Sequence, residues 1–237
     1  MPASAPATEP ATEPVAKARP LVLFDLDNTL IDRLAAFRLW AAEFAAGRGL
    51  GADAVDWLVR LDADGSVPMD VFFARVRERF ALAEPVQELW RAYRARLPWL
   101  VECRAEVLAG LDRLRAAGWA VGIVTNGMTD NQTGKIRRTG LAERVDGWAI
   151  SGAEGVRKPG ARLFRIAAAR CGAVPAGGWM VGDDPDKDIA GGRAAGLRTI
   201  WIDRGTGAAA PPADLAVDDV LAAMELLIGM PGGEGGR

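Results

Sequence analysis

The chain of 237 residues contains no histidine, and this absence removes more chemistry than any other feature of its composition. Without histidine, Ser-His-Asp and Cys-His nucleophilic catalysis are excluded, and a typical zinc centre is disfavoured. Tyrosine is almost as scarce, because Tyr93 is the single example. Acid–base catalysis must therefore come from carboxylates, from lysines or from that one tyrosine.

Other scarcities exclude further classes of protein. The two cysteines, Cys103 and Cys171, do not make a disulfide framework, and a reducing cytoplasm is the simplest setting for them. No stretch approaches the ~20 apolar residues that are needed to span a bilayer. The net charge of −2 argues against a nucleic acid or an anionic membrane as the main partner. We therefore expect a cytoplasmic globular protein without a nucleic-acid or membrane partner.

Both ends of the chain have the composition of tails. Residues 1–19 contain near-repeats of Ala, Thr, Glu and Pro, without the apolar core and basic start of a signal peptide. Residues 230–237 consist mostly of glycine and polar residues. Segments of this kind bury too little apolar surface to fold. We predict a disordered tail at 1–19 and a flexible tail at 230–237.

Between the tails, hydrophobic periodicity distinguishes two kinds of segment. Residues 32–103 have helical spacing throughout and contain no convincing strand. Residues 20–31 and 104–229 alternate strands with helices, and they end with a strand at 198–202 and a helix at 215–228. The alternation predicts an α/β core with a Rossmann-like parallel sheet and helices on both faces. The segment 32–103 is predicted to be an inserted, all-helical cap over the carboxyl ends of the strands.

Residues with useful chemistry recur just past the predicted strand ends. They are Asp25 and Asp27 after the first strand, Thr125 and Asn126 after the second, Lys158 in the loop after the third, and Asp183, Asp184 and Asp188 after the fourth. Each alone has an ordinary explanation as a solvated turn or a helix cap. Parallel topology places all four groups on one edge of the sheet, where ligands of such folds bind, and this coincidence favours a functional site.

A calcium loop is a competing interpretation of the first group. Asp25, Asp27 and Thr29 have the opening spacing of such a loop. The loop also needs Gly at its sixth position and Glu at its twelfth, where this chain has Leu30 and Ala36. This interpretation is therefore rejected.

Several carboxylates that converge on one point require a cation, protonation, or both. Two carboxylates about 4 Å apart repel by roughly 4 kcal/mol at an effective dielectric constant of ~20. With oxygen ligands alone the fitting ion is hard and divalent, and Mg²⁺ suits a site that combines carboxylates with phosphate oxygens. Mg²⁺ and Lys158 would neutralise a phosphate ester, to which Thr125 and Asn126 would donate hydrogen bonds.

The two acids of the first group suggest how such an ester is cleaved. A carboxylate can act as the nucleophile and form an acyl-phosphate. A second carboxylate can protonate the leaving alkoxide and then accept a proton from the water that hydrolyses the intermediate. This division of labour requires no histidine.

The order of these residues resembles the haloacid dehalogenase (HAD) superfamily of phosphohydrolases, and the resemblance extends from Pro20 to about Ile228. Asp25 to Leu30 match its first motif, Thr125-Asn126 the second, Lys158-Pro159 the third, and Gly182-Asp183 with Asp188 the fourth. Four motifs in the family's order make a specific signal.

The resemblance implies a role for each matched residue. Asp25 would be the nucleophile, and Asp27 the general acid and base. Mg²⁺ would be held by Asp25, the backbone carbonyl of Asp27 and Asp183, with Asp188 in support. Asp184 is a complication, because an acid directly after the motif residue could share or take over the ligand role. The founding dehalogenases lack an aspartate at the position of Asp27, and its presence therefore favours a phosphatase.

The function predicted from this resemblance is Mg²⁺-dependent hydrolysis of a small phosphorylated metabolite through an aspartyl-phosphate. A phosphomutase on the same scaffold and a non-catalytic binding or regulatory relative stay open, and the sequence does not indicate the oligomeric state. Sugar phosphates, phosphoglycolate and nucleoside monophosphates all remain candidate substrates. In family members with this insertion the cap selects the substrate, and most cap arginines are expected on solvated helix faces. They are Arg33, Arg38, Arg60, Arg75, Arg77, Arg79, Arg91, Arg94 and Arg96.

Overall fold

The computed structural model describes residues 19–51, 53–207 and 209–230. The predicted tails, apart from Arg19 and Met230, lie outside the described residues. None of the helices in these ranges is long and apolar enough to cross a membrane.

Six parallel strands form one sheet in the order β3-β2-β1-β4-β5-β6. They are β1 Leu21–Phe24, β2 Ala120–Thr125, β3 Gly147–Ile150, β4 Trp179–Gly182, β5 Arg198–Ile202 and β6 Leu215–Val217. The first strand therefore lies between β2 and β4, because the chain runs from β1 outward to β2 and β3 and then crosses to β4 on the other side of β1. A ligand site in such a sheet is expected at the carboxyl end of β1, where the strand order reverses.

Helices account for most of the remaining chain. They are α1 Arg33–Ala46, α2 Asp53–Asp62, α3 Met69–Arg79, α4 Val86–Arg96, α5 Ala105–Ala116, α6 Thr129–Arg138, α7 Ser151–Glu154, α8 Ala161–Arg170, α9 Gly191–Ala194 and α10 Val220–Gly229. Short 3-10 turns occupy Ala63–Gly65 and Leu97–Trp99, and a π-helical segment occupies Pro185–Ala190.

The side chains of β1 alternate between two apolar layers. Val22 and Phe24 belong to a cluster that includes residues of α5 and α10, whereas Leu21 and Leu23 belong to one that includes residues of α8. All four residues are buried, which explains why the strand reads as an unbroken apolar run. The predicted α/β class, with a Rossmann-like parallel sheet covered on both faces, is confirmed.

The helices from α1 to the turn at Leu97–Trp99 form what we call the helical block (residues 33–99). Its interior is aromatic: the ring centroid of Trp40 lies 4.9 Å from that of Tyr93 and 5.8 Å from that of Phe73. Trp40 also belongs to the same apolar cluster as Phe24 of the sheet. The block is therefore packed onto the core, while its role as a separate cap domain stays a prediction.

One prediction about the end of the chain is wrong. Residues 215–228 are not a single helix, because Leu215–Val217 form β6 and α10 begins at Val220, where Asp219 caps it. The strand at Arg198–Ile202 is therefore not the last one. A short apolar run has no decisive periodicity, and the pairing of Leu215 with Ile200 is a tertiary contact.

Candidate active site

Asp25 directly follows β1, in the middle of the sheet. Its backbone N–H donates to the carbonyl of Val181 over 2.9 Å, so the residue is held against β4. Its side chain is buried, with 6% of the residue exposed. On either side, β2 ends at Thr125 and β4 ends at Gly182, which brings the polar residues of both loops to the same edge.

Lys158 lies between two of the carboxylates. Its Nζ donates to Asp25 and, over 2.7 Å, to Oδ1 of Asp188. Asn126 fixes the lysine backbone, because its Oδ1 accepts from the Lys158 N–H over 2.9 Å and its Nδ2 donates to the Lys158 carbonyl over 3.0 Å. The side-chain amide of Asn126 is therefore engaged with the backbone of Lys158.

Three carboxylates form a compact cluster at this edge. One oxygen each of Asp25, Asp183 and Asp188 lies within 4.8 Å of the others. Asp188 reaches the cluster from the π-helical segment, and Gly182 makes the space, because a Cβ there would lie 2.3 Å from Oδ2 of Asp188. An all-oxygen donor set of this kind could hold a divalent cation.

Burial raises the pKa values of all three carboxyl groups, and neighbouring carboxylates add to the effect. Burial, opposed by the attraction of Lys158, raises the pKa of Asp25 to about 7. Burial and the charge of Asp25 raise the pKa of Asp183 to about 6, against the attraction of Arg204. Burial also raises the pKa of Asp188. A cation would relieve this crowding, so the residues present fit Mg²⁺.

Asp184 is directed elsewhere. Its Oδ1 accepts from the backbone N–H groups of Asp186 and Lys187, and its Oδ2 contacts Nζ of Lys187. Asp184 thus caps the π-helical segment, while its own N–H donates to Asp188 over 3.1 Å. The sequence alone could not distinguish this capping role from a ligand role.

Asp27 is held by two residues of α6 that the sequence did not single out. Nζ of Lys135 contacts both of its oxygens, at 2.7 and 2.9 Å, and Nε2 of Gln132 donates to Oδ2 over 3.0 Å. Gln132 also donates to Oγ1 of Thr125 over 2.7 Å. Burial disfavours charge on Asp27, but the attraction of Lys135, and next that of Arg33, lowers its pKa.

The signal for these two residues was present but weak. The residues of α6 are mostly polar and basic, a pattern that is typical of a solvated helix. In the structure Gln132 and Lys135 are buried, and they lie three residues apart on the face that meets the site. A helix that starts just after a strand end and has polar residues at this spacing is therefore worth testing as part of a site.

Arg204 is a third unpredicted residue, and it links the core to the helical block. Its Nη1 contacts Oδ2 of Asp183 at 3.0 Å and Oδ2 of Asp64 at 2.6 Å. Asn28 adds to the link, because its Nδ2 donates to Oδ1 of Asp64 over 3.0 Å. Arg204 comes two residues after β5, so reading one more strand end in the sequence would have found it.

These groups line a cavity of about 850 Å³ between the sheet edge and the helical block. Asp25, Asp27, Lys158 and Asp183 come from the core. The opposite wall comes from the helical block and includes Asp64, Met69, Asp70, Trp90 and Arg94. This volume is in the range of small-molecule sites. The arrangement is that of an α/β enzyme with a carboxylate at the base of its cavity.

Comparison with known proteins assigns the family. The model of haloacid dehalogenase-like hydrolases matches residues 20–196. The protein therefore belongs to the HAD-like hydrolase family, as the sequence motifs predicted.

Individual relatives agree with this assignment. The chain is 39% identical to phosphoserine phosphatase from Thermus thermophilus over 155 residues, which are 63% of this chain and 61% of that protein. It is 29% identical over 212 residues to N-acylneuraminate-9-phosphatase from Rattus norvegicus, covering 78% of this chain and 83% of the relative. The chain thus spans about three-fifths of the Thermus protein, and less than half of two other curated relatives.

A solved structure supports the fold. The magnesium-bound HAD-hydrolase YfnB from Bacillus subtilis superposes with a TM-score of 0.75 at 20% identity, covering 89% of this chain and 99% of that one. At this identity the similarity shows the fold alone.

Proposed function

We propose that this protein hydrolyses a small phosphate monoester with Mg²⁺ through an aspartyl-phosphate on Asp25. The observation that carries the proposal is the position of Asp25, which lies at the base of the cavity with Lys158 and two further carboxylates around it. The names of the relatives, which are phosphatases of small phosphorylated compounds, support the same class of reaction.

In the first step an oxygen of Asp25 forms a bond to phosphorus while the bond from phosphorus to the alcohol oxygen breaks. Lys158 offsets negative charge on the transferred group, and Asp27 gives its proton to the leaving oxygen. In the second step water attacks the aspartyl-phosphate and Asp27 accepts its proton. Inorganic phosphate leaves, and Asp25 is restored.

Mg²⁺, held by Asp25, Asp183, Asp188 and the carbonyl of Asp27, would supply further neutralisation of the phosphate oxygens. Asp183 and Asp188 contribute to this site because the turn after β4 and the π-helical segment bring them to Asp25. The charge of the cation would also favour the ionised, nucleophilic form of Asp25, against burial and the repulsion of Asp188.

The state of Asp27 must change during the cycle. Lys135 keeps Asp27 ionised in the free protein, whereas the first step needs its protonated form. A phosphate dianion beside Asp27 favours protonation, because like charges disfavour the ionised form. Lys135 and Gln132 would keep the carboxyl group in one orientation through both states.

The helical block would act as the cap of this enzyme. It supplies the wall of the cavity that faces Asp25, and its Asp64 contacts Arg204 of the core. The part of the substrate that is not phosphate would therefore be recognised by residues of this block. A phosphomutase would use the same aspartyl-phosphate but would return the phosphate to another hydroxyl.

The test is phosphate release from p-nitrophenyl phosphate with Mg²⁺. The wild-type protein should turn over, and Asp25→Asn should lose at least about 10⁴-fold in kcat because the nucleophile is gone. Asp186→Asn, which changes an exposed acid of the π-helical segment, is the matched control and should retain activity.

Full turnover by Asp25→Asn, or no release from any tested ester by the wild type, would reject the proposal. Transfer of phosphate between two positions of a sugar without net release would instead indicate a mutase.

A further inference from the structure

Most of the cations that line the cavity already have a carboxylate partner. The pairs are Arg33 with Asp62, Lys135 with Asp27, Lys158 with Asp25 and Asp188, Lys187 with Asp184, and Arg204 with Asp64 and Asp183. Arg94 differs from all of these. Among the residues that the structure describes, its one carboxylate contact is Asp130, at 3.4 Å from Nη1, and the Asp130 side chain is 59% exposed.

The surroundings of Arg94 keep its guanidinium at the wall of the cavity. The group lies 5.2 Å from the ring centroid of Trp90, which also lines the cavity. The Arg94 side chain is 19% exposed, and its Nε is buried without a hydrogen-bond partner among the described residues. Because Arg94 lines the cavity and its contact with Asp130 is long and solvent-exposed, its guanidinium can still receive an anion.

Arg94 also lies close to the reacting end of the cavity. Its backbone carbonyl accepts from Nδ2 of Asn131 over 3.1 Å, and the next residue, Gln132, contacts both Thr125 and Asp27. The transferred phosphate would already be met by Lys158. Arg94 is therefore left to bind a different part of the substrate, on the side of the helical block.

We propose that the substrate is a phosphate monoester whose alcohol portion carries a second anionic group, a carboxylate or another phosphate, which binds Arg94. This inference rests on the proposed phosphatase function and adds the class of substrate to it. Arg157 lines the same cavity, is exposed, and has no salt bridge among the residues that the structure describes, so it adds positive charge to this side. Arg94 is thus a specificity-determining residue and takes no part in the chemical steps.

The experiment compares kcat/KM for esters that differ in the second group. O-phospho-L-serine and phosphoglycolate test a carboxylate, fructose 1,6-bisphosphate tests a second phosphate, and glycerol 3-phosphate and glucose 6-phosphate are the neutral references. The wild-type protein should prefer at least one anionic class. Arg94→Met should reduce the ratio of anionic to neutral kcat/KM by about 10- to 100-fold, since one buried charge-assisted contact is lost.

Arg91→Met is the matched control, because Arg91 is an exposed arginine of the same helix outside the cavity lining, and its substrate ratio should equal that of the wild type. Arg94→Lys should keep part of the preference. Equal use of neutral and anionic esters by the wild type, or an equal loss for both classes in Arg94→Met, would overturn the inference. Failure of the wild type to hydrolyse p-nitrophenyl phosphate would reject the phosphatase proposal itself, which is a distinct result.

Discussion

Two buried clusters of charge in this protein differ in their balance. In the helical block, Arg33 makes a two-point contact with Asp62, from Nη1 to Oδ2 over 2.8 Å and from Nη2 to Oδ1 over 2.7 Å. At the sheet edge, Lys158 faces both Asp25 and Asp188, and Asp183 adds a third carboxylate. Both clusters are removed from water, but only the second has more acids than it has close cations.

The balanced cluster is satisfied by protein groups alone. Asp62 also accepts from the backbone N–H of Gly65 over 2.8 Å, and Arg33 lies 5.2 Å from the ring centroid of Phe37. Arg33 is therefore not on a solvated helix face, where most cap arginines were expected, and its guanidinium is not free to meet a substrate. Its charge joins α1 to the end of α2.

The unbalanced cluster stays incomplete without a ligand. Its carboxyl groups have raised pKa values because burial and mutual repulsion act on them at the same time. Acids that cannot all ionise without help are typical of functional sites. The comparison indicates that charge balance, more than burial, distinguishes a structural ion pair from a site that is prepared for a cation.

The largest effect is expected from a substitution that breaks the balanced cluster, which is the ion pair of Arg33 with Asp62. Asp62→Asn should reduce the free energy of unfolding by about 3–5 kcal/mol, because it leaves Arg33 buried without its counter-ion. Asp25→Asn should cost no stability, since it removes one of several crowded carboxylates. Urea denaturation of both variants measures the difference. An equal loss of stability in Asp62→Asn and Asp25→Asn would show that charge balance does not distinguish the two clusters. The double variant Arg33→Met with Asp62→Leu should recover much of the stability that Asp62→Asn loses, because no charge is then left buried.

The second prediction concerns the stability that the protein gains when Mg²⁺ binds the unbalanced cluster. Between 3.8, the ordinary pKa of an aspartate, and the raised value of about 7, folded Asp25 binds protons that the unfolded chain releases. This contribution to stability is therefore lost as the pH rises through that window. Mg²⁺ prefers the ionised carboxylates and should stabilise the protein by about 2.7 kcal/mol at 100 times its Kd at pH 8.

At pH 5 the same concentration of Mg²⁺ should stabilise the protein much less, because protons then compete for the carboxylates. Thermal unfolding with and without Mg²⁺ at both pH values measures this. Asp183→Asn should remove most of the response. A stabilisation that is independent of pH would contradict the prediction.

A smaller effect is expected where α6 supports the site. Lys135→Met should reduce kcat by about 10- to 100-fold, because Asp27 loses the contact that orients it and proton transfer depends on its position. Steady-state kinetics with p-nitrophenyl phosphate measure the change. Arg137→Met, an exposed cation of the same helix, is the control. If both variants kept full kcat, Lys135 would have only a packing role.

The smallest effect concerns an ion pair that lies outside both clusters. Arg113 and Glu225 join α5 to α10 at 2.6 Å, but their side chains are 52% and 60% exposed. Water screens such a pair, so Arg113→Ala should leave both turnover and the urea midpoint unchanged within error. A clear loss of stability would mean that short contact distance matters more than burial in this protein.

Much of the site could be predicted because residues that follow parallel strands lie together at the carboxyl edge of the sheet. The run before Asp25 indicated a buried strand, and alternation with helices indicated that the loops after β2 and β4 would meet there. Asp184 and Asn126 show the limit of this reasoning. Both follow strand ends, yet one caps the π-helical segment and the other binds the backbone of Lys158. A strand end places a residue near the site but does not determine the direction of its side chain.

The sequence by itself determined the alternation of strands and helices up to β5, the gathering of aspartates at one edge and the absence of any histidine to neutralise them. Those properties depend on local hydrophobic pattern and on composition. Only the tertiary structure decided that Lys135 pairs with Asp27, 108 residues away, and that Arg204 bridges Asp183 to Asp64. Such pairings depend on which helix faces pack together, and no local pattern in a single sequence encodes that choice.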